Sequence, residues 1–203
     1  MTGPGGPAAA RAQAATRARL AAAEFLAWAL AVVGMAALLA RPWFLPASVA
    51  VGWRAAFFVA LGAAGVAWPA GGRRGPATGG PAASLVVLVV GAVGFALGRA
   101  VADVPSVPGS LAMAVGLNAL AAVAEEAFFR RYLFDLVRAA SGPAPAVVVT
   151  ATAFAIAHVT VWGWWAMPLD LAAGLVLSWQ RAATGRWSVP AVTHVLANTL
   201  ALL

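Results

Sequence analysis

The run Ala124-Glu125-Glu126-Ala127-Phe128-Phe129-Arg130 sets two carboxylates and a guanidinium inside a long apolar segment. Two later apolar segments carry the only histidines of the chain, as Phe154-Ala155-Ile156-Ala157-His158 and as His194-Val195-Leu196-Ala197-Asn198. Ionisable side chains inside apolar spans are costly, so each one is a functional hypothesis. Together these types suit hydrolysis of an amide, which needs a base for water, a proton donor for the leaving amine and donors for the oxyanion. The absence of cysteine excludes thiol catalysis, disulfides and cysteine-ligated metal. Neither Thr193 nor Ser188 is placed beside a histidine in a way that argues for a nucleophile, although both stay open; direct attack by water is the simpler reading.

Helical spacing decides which of these groups can meet. Glu126 and Arg130 share a face, so the arginine neutralises that carboxylate and Glu125 is left as the freer base. Phe154 with His158, and His194 with Asn198, share faces in the same way. A turn centred near Gly142 separates the glutamates from His158 by nearly equal lengths of chain, which puts them at the same height, roughly 24 Å from the turn at 1.5 Å per residue. His194 and Asn198 lie roughly 14 to 20 Å from the loop near Gly185, so the three elements are expected to converge in the cytoplasmic half.

Each feature alone has a structural explanation. A glutamate–arginine pair can clamp a helix, a lone histidine can be a satisfied packing group, and an asparagine can join helices by hydrogen bonding. Their combination at compatible heights favours function. Asp170, after Pro168 near a helix end, reads as structural, and Asn118, seven residues before Glu125, as an extension of a polar seam. Trp162, Trp164 and Trp165 read as an interfacial belt on the outer side.

The elements that must position these groups are membrane spans. With 63% of its 203 residues apolar and 9% charged, the chain lacks the polar residues of a water-soluble surface. Apolar segments near 20–40, 50–70, 83–101, 109–130, 144–161, 163–180 and 188–203 predict an all-α fold, a polytopic membrane helix bundle of about seven transmembrane helices. The expected organisation is a disordered tail over 1–19, two accessory helices over 20–70, a Gly/Pro-rich linker over 71–82 and a catalytic helical core over 83–203. Leu20 to Ala40 is too long for a cleaved signal and is expected to stay as an anchor.

All thirteen basic residues are arginines, scattered between apolar runs, which points to membrane orientation and to no nucleic-acid partner. Strict alternation of seven spans places ten of them on one side, leaving only Arg41, Arg54 and Arg99 on the other. Arginine-rich loops stay inside, so a multi-pass protein of the cell membrane with a cytoplasmic N-terminus is expected, in contact with lipid.

The three motifs in order resemble the CPBP intramembrane proteases (CAAX protease and bacteriocin-processing), a family that includes the CAAX prenyl endopeptidase. Two glutamates followed three residues later by an arginine is similar to Glu125, Glu126 and Arg130; a phenylalanine with a histidine four later to Phe154 and His158; a histidine with an asparagine four later to His194 and Asn198. The resemblance covers about 83–203. It implies an endopeptidase acting on a membrane-associated protein or peptide, with Glu125 and His158 activating water and His194 with Asn198 binding the oxyanion.

Zinc is possible through Glu125, His158 and His194. Against it, the ligands would come from three helices without a helical HExxH pair, and Asn198 suits an oxyanion better than a metal. No cofactor is therefore the favoured expectation. The alternatives are a non-catalytic membrane binding or immunity protein with the same fold, and a proton-coupled transporter. The chain lacks the inverted repeats expected of the latter.

Overall fold

The computed structural model describes residues 7–46, 48–67, 80–101 and 110–203. Among them, every expected apolar segment is helical and there is no strand. The helices are α1 (Pro7–Phe44), α2 (Val51–Ala67), α3 (Pro81–Val101), α4 (Leu111–Glu126), α5 (Phe134–Ser141), α6 (Pro143–Trp162), α7 (Met167–Thr184) and α8 (Ser188–Leu200). A π-helical turn, Ala127–Leu133, joins α4 to α5, so that 111–141 is a single rod. Among the described residues, four helical stretches are long and apolar enough to cross a membrane: Ala8–Phe44, Pro81–Gly98, Leu111–Ser141 and Pro143–Trp162. The chain is an all-helical membrane bundle.

One boundary differs from expectation. Helix α1 starts at Pro7 and runs through 7–19, where a disordered tail was expected. A proline in the first turn followed by an alanine- and arginine-rich stretch has high intrinsic helicity and simply extends the anchor. The rod from α4 continues to Ser141, well past Arg130, because its last turns pack on α6. Most of the Gly/Pro-rich linker lies outside the described residues.

The rod 111–141 is flanked by α2, α8 and α6; α6 also packs on α7 and α1, and α3 on α8 and α7. Tight turns allow this. Gly142 (φ 89°) reverses the chain directly into Pro143, and Gly185 (φ 67°) ends α7 in a left-handed cap whose N–H donates to the Arg181 carbonyl. Close approach of α6 and α7 is possible because position 174 is glycine: a Cβ there would lie 2.9 Å from the Ala151 carbonyl oxygen.

Candidate active site

The π turn begins one residue after the carboxylate pair. Such bulges are rare and occur mostly at functional sites. This one is held by side chains: Arg181 Nε donates to the Arg130 carbonyl at 2.8 Å, while Arg181 Nη2 donates to Asp135 Oδ1 at 2.6 Å. From the rod, the two glutamates point in different directions and find different partners.

Glu126 is fully buried. Its Oε1 accepts from Arg130 Nη1 at 2.8 Å, as the helical spacing predicts, and from His194 Nδ1 at 2.9 Å. Arg130, also fully buried, donates from Nη2 to the Gly174 carbonyl at 3.2 Å. Glu126 and Arg130 thus tie the rod to α7 and α8 beneath the cavity rather than lining it.

Glu125 lines a cavity of about 690 Å³, with His158, His194 and Asn198. Its Oε2 lies 3.7 Å from His158 Nε2, so the matched heights across the Gly142 turn are realised in space. That separation is too long for a hydrogen bond. His158 Nδ1 lies 2.9 Å from the Phe154 carbonyl, which can only accept, so the proton sits on Nδ1 and Nε2 carries the lone pair. By the same reasoning His194 donates Nδ1–H to the Glu126 carboxylate, and Nε2 is its remaining polar atom. Phe154 is the shared platform. Its ring lies 4.3 Å from that of His158, 5.5 Å from that of His194, and under the Arg130 guanidinium at 4.5 Å.

Three expectations are corrected. Glu125 is not the free carboxylate: Arg41 Nη1, at the end of α1, donates to its Oε1 at 2.5 Å. Asp170, read from the sequence as structural, lines the same cavity with a buried Oδ2 that has no hydrogen-bond partner. The convergence is also at the other end of the bundle from Gly142 and Gly185. Pro42, Leu45 and Pro46 border the cavity, together with Trp162 at the end of α6. His158 stands sixteen residues from Gly142 but only four from that helix end, which is why it reaches this side.

Arg41, Arg54 and Asp170 are the charged cavity residues that the sequence did not assign to a site. For Asp170 the signal was present, an acid in an apolar helix; Arg41 and Arg54 were absorbed into the count of topological charges. Asn118 lines the cavity and donates Nδ2 to the Ala114 carbonyl at 2.8 Å. Thr193 is buried outside it, bonded to Gln180, and Ser188 borders a separate apolar pocket, so neither is beside Glu125 or His158. Among the described residues, no three His, Asp or Glu side chains are arranged to hold a metal ion.

Comparison with known families adds a likeness for the segment that carries these residues. Residues 107–200 match the family model Rce1-like, described as type II CAAX prenyl endopeptidase Rce1-like. This segment is Rce1-like. It spans α4, the π turn and α5 to α8, and therefore Glu125, Glu126, Arg130, Phe154, His158, His194 and Asn198, in agreement with the CAAX protease resemblance of the three motifs. No curated protein and no solved structure matches the chain.

Proposed function

We propose that this protein is an intramembrane endopeptidase that hydrolyses a peptide bond in a membrane-associated protein or peptide, with Glu125 and His158 as the water-activating pair. The observation that carries the reading is the 3.7 Å gap between Glu125 Oε2 and His158 Nε2 on a cavity large enough for a peptide segment. A water about 2.8 Å from each atom forms the apex of a triangle over that gap. Glu125 removes one proton as the water oxygen attacks the scissile carbonyl carbon. The tetrahedral oxyanion is held by the Asn198 carboxamide N–H and by the Nε2–H of His194 in its imidazolium form, whose Nδ1–H stays on Glu126, and the proton passes through the Glu125–His158 pair to the leaving amine.

Several features support these roles. Arg130 and Glu126 keep His194 in place, and Phe154 fixes the planes of both histidines. Glu125 Oε1 is engaged by Arg41, which leaves Oε2 on the side of His158. No step is routed through a metal. By the description of the family, a peptide ending in a prenylated cysteine and three further residues is the natural first substrate.

Purified protein in lipid nanodiscs should cleave that peptide, and Glu125→Ala and His158→Ala should each abolish cleavage while the variants still insert and unfold cooperatively. Near-normal cleavage by Glu125→Ala would remove the assigned base and favour the alternative of a binding or immunity protein.

A further inference from the structure

The geometry points to Arg41 as a positioning residue for Glu125, supplied by accessory helix α1 from outside the Rce1-like segment, and it rests on the reading of Glu125 as the base. The Arg41 and Glu125 side chains are only 12% and 5% exposed. A pair this shielded is unlike an exposed surface ion pair, because removing either partner strands the other charge among apolar helices.

One stripe of α1 sets the register that brings them together. Ala27, Ala31, Gly34, Leu38 and Arg41 follow at alternating spacings of four and three residues, the seam of a heptad. The Ala27 carbonyl accepts from the Tyr132 hydroxyl, Gly34 faces the Phe128 ring so closely that a Cβ would overlap it, and Leu38 is fully buried. On the rod the partners run in the opposite order, Tyr132, Phe128 and then Glu125. With the first two contacts in place, the next positions along both stripes are Arg41 and Glu125.

The chemical consequence follows from the shape of a carboxylate. Its terminal torsion is soft and two-fold, so an unheld Glu125 would rotate its oxygens. Arg41 engages Oε1 and leaves Oε2 beside His158 Nε2. The two accessory helices then contribute more than anchorage: the base of the Rce1-like segment is oriented by α1.

The test uses the full chain in nanodiscs with the prenylated peptide. Arg41→Ala should lower kcat by about 100-fold, the scale of a misplaced reacting group, with KM within about twofold. Arg41→Lys should restore part of the loss, since it keeps the charge without the planar fork. Added guanidinium should restore Arg41→Ala but not Glu125→Ala. Removing an exposed α1 charge, Arg17→Ala, should change nothing. An unchanged kcat in Arg41→Ala, a loss carried wholly by KM, or no recovery with lysine and guanidinium would each overturn the proposal.

A second measurement needs no substrate. In thermal unfolding of Arg41→Ala, Glu125→Ala and the double variant, the double should lose less Tm than the two single losses added together. Additive losses overturn the ion pair even if the peptide is not cleaved. Full activity in Glu125→Ala would instead overturn the assignment of the base, so the two failures are distinguishable.

Discussion

Glu125 and Glu126 are neighbours in sequence, yet the roughly 100° turn between successive helical residues sends them to different surroundings. One reaches the cavity with Arg41 and His158, and the other is locked between Arg130 and His194. Asn198 differs from both, because it lines the cavity on the same helix face as His194. A donor reserved for a developing oxyanion contributes to the transition state more than to the bound substrate. Asn198→Ala should therefore reduce kcat by about 100 to 1,000-fold with little change in KM, read from steady-state cleavage of the prenylated peptide. The same assay should keep its rate after dialysis against chelator. Activity that vanishes with chelator and returns with zinc would make His194 a ligand instead.

At the scale of elements, the π turn 127–133 is where accessory helix α2 meets the rod. A Cβ at position 65 would lie 2.6 Å from both the carbonyl carbon and oxygen of Ala127, and the Gly65 carbonyl accepts from Arg131 Nη1 at 2.6 Å. Backbone therefore packs on backbone, with no side chain to yield. Gly65→Ala should cost about 1 to 3 kcal/mol by overpacking, seen as a lower Tm in nanodiscs, whereas Gly52→Ala, with open space around it, should leave Tm nearly unchanged. Equal Tm for the two variants would mean that α2 does not dock there.

For the whole molecule, the end of the bundle that holds the cavity also carries exposed Trp43, Trp53, Trp162, Trp164 and Trp165. Amphipathic rings of this kind sit at headgroup level, so the proposed chemistry occurs near one membrane interface, not at the bilayer centre. With the cytoplasmic N-terminus expected from the ten-to-three arginine asymmetry, that interface is the outer one, which a fusion experiment tests. A reporter fused after Leu203 should be found outside, and one fused after Gly75, beyond the described residues, in the cytoplasm. Both on the same side would end the seven-span arrangement.

Local order in the chain was enough for the helices, because apolar runs of spanning length separated by Gly142-Pro143, Gly185 and Arg41-Pro42 leave the backbone no other way to satisfy its polar groups in lipid. It was also enough for pairings within one helix, such as Glu126 with Arg130, and for equal height across the single tight turn between Glu125 and His158. Contacts between elements far apart in sequence were settled only by packing. Arg41 meets Glu125 across 84 residues and His194 meets Glu126 across 68; periodicity marks a face on each helix but does not say which distant helix packs against it. Asp170 joins the cavity because α7 packs on α6, and the π turn forms because Arg181 and Arg131 reach it from and toward other helices. Spacing is a property of one helix, whereas the partner of a buried charge depends on which helices lie beside it.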